Sequence, residues 1–146
     1  MNREIKFRAY DKDYERMTYF DDEDYLYQCP FILRLEQVFK KDSNYDDYED
    51  FEYKDVTDKL ELGQYTGLHD KNGKEIYEGD IVAEKGHYVN SDRILYQDIK
   101  WKESYSCWLR GEYQRLTPKN IERYEIEVVG NIYDNPELLK GADNIE

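Results

Sequence analysis

The sequence predicts a mainly β protein built around a small barrel, because turn residues and short strands follow one another from residue 64 to 82. This stretch reads QYTGLHDKNGKEIYEGDIV. The dipeptide Asn72-Gly73 takes positive φ readily, so it predicts a tight primed hairpin turn. Gly79-Asp80 predicts a second turn. The two turns bracket a short strand over residues 75–77.

Length and charge narrow the class of protein. A chain of 146 residues is the usual size of one domain, so the sequence predicts a single domain over residues 1–146. Its formal net charge is -13. Nucleic-acid phosphates and anionic membranes repel such a charge, so neither is an expected partner. Sixteen tyrosines carry much of the hydrophobic content and can pack their rings in a core, so the polar composition does not imply disorder.

The two cysteines, Cys29 and Cys107, form no CxxC pair, and they are too few for a disulfide-stapled secreted domain. A reducing cytoplasm therefore fits the chain best. The N-terminus carries charges where a signal peptide needs an apolar segment. No run approaches the roughly 18 apolar residues of a membrane span. We expect a soluble cytoplasmic protein.

The N-terminal part predicts a hairpin, then a helix, then an acidic arm. Residues 5–10 alternate in polarity, 11–13 favour a turn, and 17–20 can return as the partner strand. A helix is predicted to begin at Pro30, because apolar residues follow at i, i+1, i+4, i+7 and i+8. Residues 42–58 contain eight acids and one lysine, which predicts a solvated loop or irregular arm. The apolar residues of the predicted helix are Phe31, Ile32, Leu35, Val38 and Phe39.

The C-terminal part predicts a second hairpin. Its strands are expected over 93–101 and 105–110, which are rich in aromatic and β-branched residues. Thr117 before Pro118 predicts a helix N-cap and first turn. The other predicted elements are a short helix over 118–123, a strand over 124–133, a terminal helix starting at 135–136, and a fraying end over 141–146.

Three separated blocks of the chain resemble the YopX family of phage and prophage proteins. They are IKFRAYDKDYERMTY at 5–19, the stretch at 64–82, and VVGNIYDNPELL at 128–139. The resemblance implies a mainly β protein with a small SH3-like barrel, in a phage or prophage setting inside a bacterial host cell. It implies no activity. Together with the element predictions, it gives a hairpin, helix and acidic arm over about 1–59 and a barrel core over about 60–135.

No pattern in the sequence predicts a catalytic site, a metal or a cofactor. The acids at 21–25 and 42–58 lack the glycine and glutamate spacing of a calcium loop, so a solvated acidic face is favoured over cation binding. Cys107 lies on a predicted strand, where packing is favoured over nucleophilic catalysis. The four candidate zinc ligands lack paired spacing. They are Cys29, His69, His87 and Cys107.

The first functional hypothesis is a non-enzymatic protein that binds a host or phage macromolecule, such as a basic one, through an acidic, tyrosine-rich surface in which aromatic residues are interleaved with acids. Tyrosine is favoured at recognition surfaces, and spaced carboxylates can imitate a phosphate backbone. The favoured alternative for this segment is a flexible acidic loop whose tyrosines pack back on the barrel. Edge strands of a barrel can also pair between copies, although the net charge opposes this at low ionic strength. The aromatic residues are Tyr45, Tyr48, Phe51 and Tyr53.

The second functional hypothesis is a small nucleic-acid-binding barrel, in which aromatic residues on paired strands stack on bases. The net charge argues against it, and burial of both tryptophans would exclude it. The aromatic residues concerned are Tyr96, Trp101, Tyr105 and Trp108. The basic residues that would line the groove are Arg93, Lys100, Lys102, Arg110 and Arg115.

Overall fold

A computed structural model describes residues 4–20, 25–28, 31–40 and 48–142. The chain divides into two compact units. The N-terminal unit is Arg8–Leu62, and the C-terminal unit combines Met1–Phe7 with Gly63–Glu146. Cys29, Tyr45, the four acids of the 21–25 stretch and the acids at 42–47 of the 42–58 segment lie outside the described residues.

The N-terminal unit is built from antiparallel strands. Among them, β1 and β2 form the hairpin that the alternation at 5–10 and the turn at 11–13 predict. Strands β3, β4 and β5 form a three-stranded sheet in that order. A small core contains Ala9, Tyr25, Val56 and Leu60. The elements are β1 (Phe7–Asp11), β2 (Arg16–Tyr19), β3 (Tyr25–Gln28), β4 (Phe31–Lys40), β5 (Tyr48–Asp55) and a 3-10 turn (Thr57–Lys59).

The prediction of a helix beginning at Pro30 is wrong, because residues 31–40 form strand β4. Apolar residues also occur at alternate positions here, because Leu33, Leu35 and Phe39 share one face of the strand, while Ile32 and Val38 share the other. Strand β5 pairs with β4 from Leu33↔Asp55 to Lys40↔Tyr48, and this long ladder overrides the local helical pattern. The prediction of an irregular arm is therefore also wrong for residues 48–55.

The C-terminal unit contains a five-stranded antiparallel sheet with the order β11-β10-β9-β8-β12. The predicted second hairpin, capped helix, last strand and terminal helix are all present. Thr117 accepts a hydrogen bond from the Asn120 N–H at 3.2 Å, as its N-cap position predicts. Strand β6 (Leu60–His69) begins at the end of the N-terminal unit, and the elements that follow it are β7 (Glu75–Tyr77), β8 (Asp80–Glu84), β9 (Leu95–Lys102), a 3-10 turn (Glu103–Tyr105), β10 (Cys107–Arg110), β11 (Gln114–Arg115), α1 (Pro118–Arg123), β12 (Glu127–Asn131) and α2 (Glu137–Ala142).

The core of the C-terminal unit is aliphatic. Trp108 and Tyr124 pack against it from partly buried positions. The mainly β, small-barrel fold with one or two helices that the sequence predicts is thus confirmed. The buried core residues are Ile76, Val82, Ile99, Leu116, Ile121, Ile126 and Val128.

The turn at Asn72-Gly73 is wider than predicted. Only Gly73 of this pair has positive φ, at 86°, and its N–H donates to the Asp70 carbonyl at 3.0 Å. A type I turn followed by a left-handed glycine accounts for this geometry. The buried Asp70 carboxylate accepts N–H groups from Asn72 and Lys74 at 2.8 and 2.9 Å, and from Val128 at 2.9 Å. Asp70 therefore fixes the turn and ties it to β12.

Candidate binding site

The C-terminal unit has a small cleft lined by two tryptophans. Trp101 on β9 and Trp108 on β10 are cross-strand partners, so their side chains stand on the same face of the sheet. Their rings meet edge to face, with centroids 5.1 Å apart and planes at 69°. Trp108 is half-buried against the core, whereas 44% of Trp101 is exposed. The pair therefore forms a fixed apolar wall that is open to solvent.

Gln64 and Glu78 complete this cleft, which has a volume of about 340 Å³. The Glu78 N–H donates to the Gln64 carbonyl at 2.9 Å. A Cβ added to Gly63 would lie 2.8 Å from the Glu78 carbonyl oxygen, so only glycine fits there. Gly79 has a φ of 92°, and its N–H donates to the Ile99 carbonyl at 2.9 Å. Gly63 and Gly79, which we call the glycine corner, thus fix the backbone of Glu78. We call Gln64, Glu78, Trp101 and Trp108 the tryptophan cleft.

The Glu78 carboxylate gives the tryptophan cleft a negative charge. Its Oε1 accepts a long hydrogen bond from the Gln64 N–H at 3.4 Å. No lysine or arginine within the described ranges forms an ion pair with it. Aromatic faces carry negative potential, so both components of the cleft attract a cation and repel an anion.

None of the five cations of the nucleic-acid hypothesis lines the tryptophan cleft, as far as the described chain shows. Arg110 is fully buried and pairs with Glu84 at 3.3 Å. Lys100 pairs with Glu112 at 2.6 Å, and this hydrogen bond raises the pKa of Lys100. Arg93 stacks over the Tyr88 ring, and Lys102 and Arg115 are exposed. The predicted basic groove therefore does not form around the two tryptophans.

A buried polar cluster lies between β8, β9 and β10. Glu84 and Arg110 are both fully buried. The Glu84 carboxylate accepts a hydrogen bond from Gln97 Nε2 at 2.7 Å and lies 2.8 Å from His87 Nε2. The His87 ring stacks on Tyr124 with centroids 4.3 Å apart. Burial lowers the pKa of Arg110, although Glu84 opposes the shift. Because both Glu84 oxygens already have partners, this cluster is interpreted as structural.

Another pocket, of about 410 Å³, is lined by two carboxylates, Asp98 and Glu112, among other residues. Lys100 lies 3.7 Å from the first and 2.6 Å from the second. Its hydrogen bond lowers the pKa of Glu112, so this carboxylate is ionised at neutral pH. A general acid would need the opposite shift. Glu112 is therefore not poised as a general acid.

The predicted metal-ligand candidates are dispersed. His69 lies about 3.4 Å from the Tyr65 hydroxyl, and His87 belongs to the buried cluster with Glu84. Cys107 is a half-buried free thiol on β10. In the portions of the chain that are described, no three histidine, cysteine or acidic residues are grouped as metal ligands.

The β4–β5 pair of the N-terminal unit has two faces of different chemistry. Cross-strand pairing puts Phe39, Phe51 and Tyr53 on one face, which we call the aromatic face. Phe39 is 69% exposed and Phe51 is 61% exposed. The opposite face carries ion pairs instead, including Lys40 with both Asp50 and Glu52 at 2.9 Å. Half-exposed Tyr48 lies on that second face, opposite Lys40.

The carboxylates of β5 form hydrogen bonds and ion pairs within the sheet and its adjoining turn, which the sequence does not predict. Glu49 accepts a hydrogen bond from Gln37 at 2.6 Å, and Asp55 accepts two from Thr57. Lys40 pairs with the other two acids and lowers the pKa of Asp50. Residues 48–55 of the acidic segment therefore form a strand, and its carboxylates have local partners.

A buried ion pair anchors the same unit. Asp11 is fully buried and lies 2.7 Å from Arg34 Nη1, and the Tyr25 hydroxyl donates to it at 2.6 Å. Burial alone would raise the pKa of Asp11, but hydrogen bonds from Tyr25 and Arg34 hold it below 3.8. Burial and the neighbouring Asp11 raise the pKa of Tyr25 to about 12. The network has a structural role.

Fold and surface together define a mainly β small-barrel protein with an aromatic cleft and an aromatic face. The chain matches the family described as YopX protein over residues 6–140, so it belongs to the YopX family. Protein EF1440 from Enterococcus faecalis has a similar structure, with a TM-score of 0.60 and 26% identity over 94% of this chain and 99% of that one.

The yopX protein from Bacillus subtilis has the same fold, with a TM-score of 0.54. It is 24% identical over 92% of this chain and 95% of its own. The comparison with curated proteins finds no match. No helix among the described residues is long and apolar enough to cross a membrane. Family and fold are thus established.

Proposed function

We propose that this chain is a non-enzymatic accessory protein of a phage or prophage, acting in the cytoplasm of the bacterial host. It binds a basic segment of a host or phage protein through the aromatic face. The observation that carries the proposal is the joint exposure of Phe39 and Phe51 on one side of a regular strand pair. Large exposed aromatic residues in a group are typical of protein-binding surfaces.

Charge and strand geometry support a basic, extended partner segment. The net charge of -13 attracts basic proteins and repels acidic ones. Strand β5 lies at the edge of its three-stranded sheet, where an extended segment can add as a further strand. Because the β5 carboxylates already have partners, the aromatic side chains supply most of the affinity and the charge supplies selectivity.

The test is a pull-down from host lysate with three baits at about 50 and about 150 mM salt. The baits are the natural chain, the double variant Phe39→Ser/Phe51→Ser, and the control Tyr113→Ser, which removes an aromatic residue 85% exposed in the other unit. We expect a Lys- and Arg-rich protein with the natural and control baits only. Recovery of no partner at either salt, or equal recovery with the double variant, would contradict the proposal.

Nucleic-acid binding is the alternative function. The exposure of Trp101 and Tyr105 favours it, since both could stack on bases. The net charge and the acidic tryptophan cleft oppose it. Fluorescence anisotropy with labelled single-stranded DNA and RNA at about 50 mM salt distinguishes the two, because saturable binding that Trp101→Ala abolishes would establish this alternative instead.

A further inference from the structure

We propose that the tryptophan cleft binds the guanidinium group of an arginine side chain from a partner protein. This cleft lies wholly within the C-terminal unit. The inference does not depend on the aromatic face, because each site is defined by its own residues and can be altered separately.

The size of the cleft limits its occupant. Ligand pockets range from about 300 to about 1,000 Å³, and a volume of about 340 Å³ is at the lower end. One side chain fits such a volume, whereas an extended cofactor does not. The two tryptophans supply the apolar wall that a long side chain needs along its methylene groups.

The chemistry of the lining residues favours arginine. A guanidinium group is planar and weakly hydrated, stacks on indole rings, and forms two parallel hydrogen bonds with a carboxylate. Trp101 is exposed for stacking, and Glu78 has no cation partner within the described chain. The Gln64 side chain adds an amide oxygen that can accept a further N–H. A lysine ammonium uses fewer of these features because it has no flat face.

The cleft is also fixed before binding. The edge-to-face contact holds both indoles, and the glycine corner at Gly63 and Gly79 holds the Glu78 backbone. Binding therefore requires little ordering of these groups, which favours affinity even for a single side chain.

The experiment follows the two tryptophan indole N–H signals by NMR during titration with short peptides. The probes are acetyl-Gly-Arg-Gly-amide, its lysine analogue, and its citrulline analogue, which keeps the shape of arginine without the charge. We expect saturable shifts with the arginine peptide, weaker binding of the lysine peptide and none of the citrulline peptide. Glu78→Gln should weaken arginine binding by about tenfold, and Trp101→Ala by roughly fivefold.

Three controls keep the result interpretable. Glu122→Gln removes one exposed carboxylate elsewhere in the same unit, and it should bind like the natural chain. Far-UV circular dichroism confirms that each variant is folded, and Phe39→Ser/Phe51→Ser should titrate normally even if the aromatic face has no partner. Equal shifts with citrulline, unchanged binding by Glu78→Gln, or indole shifts with a single-stranded oligonucleotide but no peptide would overturn the proposal.

Discussion

Replacing Glu84 by glutamine tests whether the buried polar cluster holds the C-terminal unit together. In the natural chain the carboxylate contacts Gln97, His87 and Arg110 at 2.7, 2.8 and 3.3 Å. Glutamine has the same shape but no charge, and its amide NH₂ would face donors instead of accepting from them. Arg110 would remain charged and fully buried without a carboxylate partner.

The expected loss follows from this burial. Removing one partner of a buried ion pair costs about 3–5 kcal/mol, because the remaining charge keeps its desolvation penalty. Folded domains are stable by about 5–15 kcal/mol, so Glu84→Gln should remove a large share of the total. In a chain of this size the melting temperature should fall by about 10 °C.

Urea denaturation followed by circular dichroism measures the change, with the urea dependence of unfolding compared between variants. The informative companion is Glu84→Gln/Arg110→Met, which removes both charges. Because two neutral side chains can replace a buried ion pair at little cost, the double variant should be more stable than Glu84→Gln alone. A single variant that loses less than about 1 kcal/mol, or a double variant that loses the sum of both single losses, would refute the reasoning.

Three further predictions concern other parts of the fold. Asp11 has a lowered pKa, so its stabilising effect is present above its unfolded pKa near 3.8 and is lost as pH falls through the folded pKa. As pH is lowered from 6 to 2, the urea midpoint should therefore fall less steeply for Asp11→Asn than for the natural chain. Gly63→Ala should cost about 1–3 kcal/mol in urea unfolding and shift the tryptophan indole signals, because the new Cβ meets the Glu78 carbonyl. Thr117→Ala should lower the unfolding free energy by about 1 kcal/mol by removing the cap to Asn120, whereas Thr117→Ser should not.

The elements that the sequence predicts correctly are those with local signals. The hairpin at 70–74 depends on a left-handed glycine, and the helix at 118–123 depends on Thr117 and Pro118 beside it in the chain. The sequence does not predict the role of Asp70, because one of its three partners, Val128, is 58 residues away. Such a contact has no signature in a single sequence, although an aspartate before an Asn-Gly turn is itself a local cue.

Strand β4 was mispredicted for a related reason. Its apolar residues satisfy both a helical and an alternating pattern, and a pattern of this length cannot distinguish them. The deciding factor is β5, whose acidic composition predicts a loop. In the structure, Lys40 neutralises two of those acids across the ladder, so a strand forms where the composition opposes one.

The tryptophan cleft, too, can be predicted only in part from local sequence patterns. The pairing of β9 with β10 was predicted, and it brings Trp101 next to Trp108. Glu78 lies beside them because the neighbouring Gly79 N–H donates to the Ile99 carbonyl on β9. No local sequence pattern predicts this contact.

The pairing of the β5 acids also weakens the idea that this segment imitates a phosphate backbone. A nucleic-acid mimic needs regularly spaced carboxylates that are free to meet a partner's cations. Asp50 and Glu52 share Lys40, and Glu49 is bonded to Gln37, so a competitor would first have to displace these contacts. The side chains of Phe39 and Phe51 are apolar and exposed, so a partner that contacts them displaces no hydrogen bond or ion pair of theirs. Binding through the aromatic face should therefore persist in salt that abolishes binding driven by phosphate mimicry.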